Sequence, residues 1–269
     1  MESVRIGVVR YLNTAPLIEG LDRVQSLTVV PAVPAGLAGM LRTGAVDIAL
    51  ASIVDLAGGG GVPLTVLPVG MIGCDGPTLT VRVFSRVPMS EVTEIHADTE
   101  SHTSVILCKL LFHKLHGLEV TLVPYKPGGA RPETVLLIGD KVVTDQAATA
   151  GYEHHLDLGE AWHGLTGLPF VYAAWACRTA EAGQSRIRDA AVLLDRQRRH
   201  NRTRLDWIVS ARASAAGWSA DLAAKYLGRL LRYDLGDRER RAADLFIREA
   251  SSRGLLGSGE FSLTWDRGD

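Results

Sequence analysis

What most limits the fold of this chain is a local order that recurs along it: a short β-rich run, a polar turn, then a short helical stretch. Residues 4–9 are rich in β-branched side chains and read as a strand. They run into Arg10-Tyr11-Leu12-Asn13-Thr14-Ala15-Pro16-Leu17, where Pro16 suits a first helical turn and Asn13 or Thr14 suits its cap. Residues 27–33 form the next expected strand, 34–42 a short helix ended by Gly44, and 47–51 a buried strand ending at Ser52. Strands alternating with short helices predict a mainly parallel sheet, and such sheets bind ligands beyond the carboxyl ends of their strands.

The same order returns at Asp98-Thr99-Glu100-Ser101-His102-Thr103-Ser104-Val105, between a strand end at 94–97 and helical composition at 105–112. The first amides of a helix have no internal partner and carry the positive end of its dipole. Ser101, Thr103 and Ser104 add hydroxyl donors there, which makes the junction an anion site suited to a carboxylate or phosphate. A plain helix cap at Ser101 or Thr103 accounts for the same residues.

Further along, residues 66–72 are apolar and lead into the turn Gly73-Cys74-Asp75-Gly76-Pro77, and 79–85 reads as a strand with Thr80, Arg82 and Phe84 on one face. Residues 119–125 are a strand followed by a polar loop containing Pro127, Gly128, Gly129 and Pro132. Residues 134–138 are an apolar strand that ends at Gly139-Asp140. Leu156-Asp157-Leu158-Gly159 leads into a helical turn through Trp162, and 166–176 returns as a strand. From Thr179 the composition becomes helical, divided into about three helices by Gly217, Trp218-Ser219 and Gly236-Asp237. The run Gly58 to Gly61 lacks the Lys-Ser or Lys-Thr of a phosphate loop and reads as a loop. Arg10, Arg82 and Lys141 are the charged residues nearest the polar junctions, where an ion-pair role is the ordinary one.

Composition removes several function classes. A net charge of −1 in 269 residues gives no global attraction to nucleic acid or an anionic membrane, and the Arg-rich run at 196–204 reads as a solvated helix face. Three widely spaced cysteines, Cys74, Cys108 and Cys177, have no metal spacing and imply no disulfide framework. The N-terminus lacks the features of a signal peptide, and no apolar run reaches spanning length, so a cytoplasmic protein is expected.

Taken together, Ile6-Gly7-Val8-Val9 with Tyr11 to Leu17, the segment 34–49, Asp98 to Ser104, Ile138-Gly139-Asp140, Asp157-Leu158-Gly159 with Trp162, and above all Thr166-Gly167-Leu168-Pro169-Phe170-Val171-Tyr172-Ala173 with Trp175 resemble the MqnA family. That family comprises the chorismate dehydratases of the futalosine route to menaquinone. The resemblance covers residues 5–178 and, more loosely, the helices up to Leu256. It implies an α/β, two-lobed, periplasmic-binding-protein-like (type II) fold with the ligand in a cleft between lobes. The implied lobes are residues 1–82 with 176–269, and residues 83–175, with the chain crossing along 79–85 and 170–176. It implies Asn13 and Thr80 as catalytic residues, and Tyr11, Ser52, Asp75, Gly76, Ser101, His102, Thr103, Ser104, Gly139 and Asp140 around the substrate. No cofactor or metal is implied. The sequence departs from the family at Thr80, where Ser is usual, at Cys74-Asp75, and at Lys141-Val142-Val143 after Gly139-Asp140.

The activity so implied is loss of water from chorismate, a dicarboxylate, to give 3-[(1-carboxyvinyl)oxy]benzoate. Two other readings stand beside it. One is a non-catalytic cytoplasmic binding protein of the same fold; the other is a related lyase for another small aromatic or enolpyruvyl carboxylate. His102 is the imidazole nearest the anion turn, and a surface role at the helix start suits it as well.

Overall fold

The computed structural model describes residues 3–58, 61–126 and 131–266. Gly59 and Gly60 of the glycine run, and Pro127, Gly128 and Gly129 of the polar loop, lie outside them. Twelve strands are assigned among the described residues: β1 Val4–Val8, β2 Leu27–Pro31, β3 Ile48–Ser52, β4 Leu64–Cys74, β5 Val81–Ser85, β6 Glu94–Ala97, β7 Thr121–Pro124, β8 Thr134–Ile138, β9 His154–Asp157, β10 Phe170–Arg178, β11 Leu231–Arg232 and β12 Thr264–Trp265.

They form two sheets. The first has the order β11-β4-β10-β3-β1-β2 with β12 added on β4, and the second has the order β7-β6-β8-β5-β9. Pairs β1–β2 and β1–β3 are parallel, as are β6–β7 and β6–β8. The expectation of a mainly parallel sheet needs correcting, because β10 is antiparallel to both β3 and β4, and β5 is antiparallel to both β8 and β9. The physical reason is the path of the chain: β10 returns from the second sheet into the middle of the first, so it runs against the neighbours laid down before it left. Strand β5 lies wholly in the second sheet and β10 wholly in the first. The chain therefore changes sheets in residues 75–80 and 158–169, not along the expected crossing strands.

Burial follows strand position. The central β3 and β8 are buried at every residue, while the edge strand β7 has no fully buried residue. One face of the first sheet is covered by the helix Ser185–Thr203 through Ile187, Ala190, Ala191 and Leu194. Its other face shares a core with the second sheet, into which the helices Leu37–Thr43, His102–His116, Leu158–Thr166 and Asp237–Ser252 pack. At the back of the molecule Trp162, Phe170 and Phe246 meet edge to face, with centroids 4.9–5.8 Å apart. No helix among the described residues is long and apolar enough to cross a membrane.

Candidate functional site

Three polar junctions meet where the two sheets face one another. From the second lobe comes the start of the helix His102–His116. Ser101 is its cap: the Ser104 amide donates to Ser101 Oγ at 3.3 Å, and the two serine hydroxyls lie 3.0 Å apart. Ser101 and Ser104 also line the cleft. Thr103 is different. It is fully buried, and its hydroxyl lies 2.5 Å from the Ser52 hydroxyl at the end of β3 across the cleft floor. The pair joins the end of β3 to the start of the helix His102–His116.

The second junction is the first crossing, Thr78-Leu79-Thr80. Asp157 accepts the Thr78 amide at 2.9 Å and the Leu79 amide at 2.7 Å, which holds Leu79 in a left-handed conformation, φ 73°, that side chains disfavour. Gly159 leaves room for this turn: a Cβ there would lie 2.1 Å from Thr78 Oγ1 and 2.7 Å from the Gly76 carbonyl oxygen. The two threonines are each paired with a buried tyrosine. Thr78 Oγ1 is 2.8 Å from Tyr172 Oη, and Thr80 Oγ1 is 2.6 Å from Tyr226 Oη. Tyr172 is aimed by a bulge, since the β10–β4 register slips between Val171 and Ala173. Tyr226 opens a π-helical turn, Tyr226–Leu230. Burial pushes both phenols well above the ordinary tyrosine range, so both stay protonated.

The third junction follows β1. The helix Ala15–Ile18 has Thr14 at its cap position, but neither Thr14 nor Asn13 caps it with a side chain: Thr14 Oγ1 donates back to the Val9 and Tyr11 carbonyls. Asn13 Oδ1 is buried with no hydrogen-bond partner, in the cleft wall. Tyr11 donates its hydroxyl across the cleft to Glu100 at 2.6 Å. That bond is the largest influence holding the Glu100 carboxyl below its usual range. Lys141 bonds Asp98 and lies 3.3 Å from Glu100, forming a charged cluster at the rim.

The enclosed space left by these contacts is about 80 Å³. Its walls are Val9, Leu50, Ile72, Val81, Ile138 and Leu231, with hydroxyl and amide groups set among them; among the described residues no charged side chain lines it. Among the described residues no group of three or more His, Cys, Asp or Glu side chains is placed to hold a metal ion.

Of the residues expected at the site, Tyr11, Asn13, Ser52, Thr80, Ser101, Ser104 and Gly139 are brought together in this cleft. The others are employed elsewhere. His102 turns outward to Asp55 at 2.8 Å, and Asp75 is held by Arg238 at 2.5 Å and His163 at 3.0 Å. Gly76 forms a left-handed turn behind the cleft, φ 117°. Asp140 sits at the rim and accepts the Leu12 amide at 3.2 Å and the Trp218 indole N–H at 3.1 Å; burial raises its pKa, against those two donors. The sequence reading missed Thr78, Tyr172 and Tyr226. Tyr172 lay inside the most specific segment without being singled out, whereas Tyr226 lies in a helical region with no motif to mark it.

Two sheets joined by two crossings, with a cleft lined by hydroxyl and amide groups between them, define a protein of the periplasmic-binding-protein fold. The alkanesulfonate-binding protein SsuA of Xanthomonas axonopodis, solved with bound MOPS, matches with TM-score 0.70 at 14% identity, over 96% of this chain and 95% of that one. The periplasmic aliphatic sulphonate binding protein SsuA of Escherichia coli matches with TM-score 0.68 at 16% identity, over 97% and 95%. A family model described as menaquinone biosynthesis matches residues 4–252. The chain belongs to that menaquinone biosynthesis family. It is 30% identical to the chorismate dehydratase of Thermus thermophilus over 271 aligned residues, 90% of this chain and 93% of that protein.

Proposed function

We propose that this protein is a chorismate dehydratase, a hydro-lyase that removes water from chorismate to give 3-[(1-carboxyvinyl)oxy]benzoate at the entry to the futalosine route of menaquinone biosynthesis. The observation that carries the reading is the cleft itself. It offers hydroxyl donors and a helix start, Ser101 and Ser104, facing Asn13 and Thr80 across apolar walls. That suits a small ring bearing an anionic group at each side.

The reaction needs little acid–base machinery from the protein. The C3–H bond breaks and its proton passes to the substrate's own enolpyruvyl carboxylate. The electron pair becomes the last double bond of the aromatic ring as the C4–O bond breaks toward oxygen. Hydroxide and that proton together are the one water lost. A carboxylate held without a cation in an apolar cleft is a stronger base than in water, because burial disfavours its charge. Asn13 orients the reacting groups. The chorismate dianion has a single hydrogen-bond donor, its 4-hydroxyl, and Asn13 Oδ1 is a buried acceptor without a partner; the amide N–H not engaged with Tyr226 then faces the enolpyruvyl carboxylate. Ser101, Ser104 and the helix dipole hold the ring carboxylate. Positioning supplies most of the acceleration.

The protein is assigned to the cytoplasm, where its three unpaired cysteines are at home. Incubation of purified protein with chorismate, followed by ultraviolet spectrum and product mass, tests the assignment. Loss of 18 mass units with an aromatic spectrum, about the mass of one water, is expected. Tight binding without conversion would identify a binding protein instead, and conversion only of another enolpyruvyl acid a related lyase.

A further inference from the structure

Thr80 and Thr78 stand two residues apart on the same crossing, each paired with a buried phenol, but their hydroxyls are not equivalent. Thr78 Oγ1 has a second partner inside the protein, Cys74 Sγ at 3.2 Å, so both its donor and acceptor capacity are used. Thr80 Oγ1 has Tyr226 Oη alone among the described residues, at 2.6 Å, and faces the cleft. A phenol, with a pKa near 10, is far more acidic than an aliphatic alcohol, so in such a pair the phenol is the better donor and the alcohol the better acceptor. The phenol proton therefore goes to Thr80, and the Thr80 proton is left pointing into the cleft. Tyr226 has little freedom to do otherwise: the Asn13 side-chain amide also donates to its phenol oxygen, and the ring is 1% exposed and stacked on Trp218, with centroids 4.8 Å apart and planes at 15°.

We propose that Tyr226 is a positioning residue which makes the Thr80 hydroxyl a dedicated donor to the anionic ligand. The proposal deepens the chorismate reading of the cleft and rests on it.

A double-mutant cycle tests it. Tyr226→Phe removes the phenol proton while keeping the ring on Trp218, and is expected to lower kcat/KM about tenfold, the worth of one neutral hydrogen bond. Thr80→Val is expected to cost at least as much. If Tyr226 acts through Thr80, the double variant is no slower than Thr80→Val alone, whereas a merely structural tyrosine gives losses that multiply. Multiplying losses overturn the proposal. As a second variant, Tyr226→3-fluorotyrosine keeps ring and hydroxyl with a stronger donor; activity at or above wild type is expected, and a loss matching that of Phe overturns the proposal even if the Phe variant folds poorly. If the wild type leaves chorismate unchanged, the assigned reaction fails separately. The same cycle is then read on chorismate affinity by tryptophan fluorescence, where coupled losses support the pair and independent losses overturn it. Absence of chorismate binding by the wild type overturns both.

Discussion

Trp218 Nε1 donates to Asp140 Oδ1 at 3.1 Å, and this bond ties the C-terminal helical region to the turn that follows β8. The other oxygen of the same carboxylate takes the Leu12 amide, so Asp140 joins two separate parts of the first lobe across the cleft. Tyr11–Glu100 and Ser52–Thr103 complete a set of cross-cleft bonds that close the molecule.

Closure is therefore expected to be switchable. A cleft of about 80 Å³ must open for a ring to enter, and residues 75–80 and 158–169 are the two connections between the sheets. Contacts to both lobes favour the closed state. Trp218→Phe keeps the stack on Tyr226 and removes the donor to Asp140, and is expected to shift the ligand-free protein toward open forms. Small-angle scattering checks this: a larger radius of gyration than wild type without ligand, converging at a saturating non-reactive chorismate analogue. An unchanged radius in both forms and both conditions speaks against a hinge.

Asn13→Asp places an anion beside an anionic ligand. Since Asn13 caps no helix, the change has no capping effect to confuse it. Losing a hydrogen bond to a charged group costs about 1.5–3 kcal/mol, or roughly ten- to 150-fold in rate, and like-charge repulsion adds to that. A neutral truncation, Asn13→Ala, is expected to lose less. Melting temperature and chorismate turnover on one preparation decide it; full activity in the aspartate variant would remove Asn13 from the site.

Gly159→Ala is the sharpest steric prediction. The added methyl meets Thr78 Oγ1 at 2.1 Å and the Gly76 backbone at 2.7 Å. Overpacking of this kind costs about 1–3 kcal/mol, and the shift it forces falls on the Thr78–Tyr172 pair. A lowered melting temperature together with weaker substrate binding is expected; an unchanged melting temperature would show that the crossing yields easily.

Asp47 links the ends of the first sheet to its covering helix. It accepts the Arg5 amide at 2.8 Å and the Arg5 guanidinium at 2.9 Å, and lies 3.2 Å from Arg186. Burial alone would raise its pKa, but Arg5 and Arg186 hold it at about 2. A carboxyl whose folded pKa is depressed contributes stability that is present above its unfolded value of 3.8 and is lost as pH falls through about 2. Asp47→Asn is therefore expected to unfold more easily than wild type at neutral pH, with the gap closing between pH 4 and pH 2, roughly the interval between the two pKa values. Denaturant melts at several pH values check it; a gap that stays constant through that window would rule out the linkage.

The local features of this protein were determined by its sequence. The strand ends at Val8, Ser52, Ala97 and Ile138, the Ser101 cap and the Gly44 stop are satisfied within a few residues, so periodicity and capping chemistry reveal them. Those strand ends are also where Asn13, Ser52, Ser101 and Gly139 sit, and parallel pairing brings them to one edge. Only the tertiary structure decided which of these polar groups stay available. Thr103 and Ser52 consume one another over 51 positions, His102 turns to Asp55, and Asp75 is claimed by Arg238 over 163 positions. Tyr226 reaches Thr80 over 146 positions from a segment with no motif. A hydroxyl's role depends on what fills its second hydrogen bond, and that partner is set by sheet order and by the return of β10 against its neighbours, neither of which is written in any local run of residues.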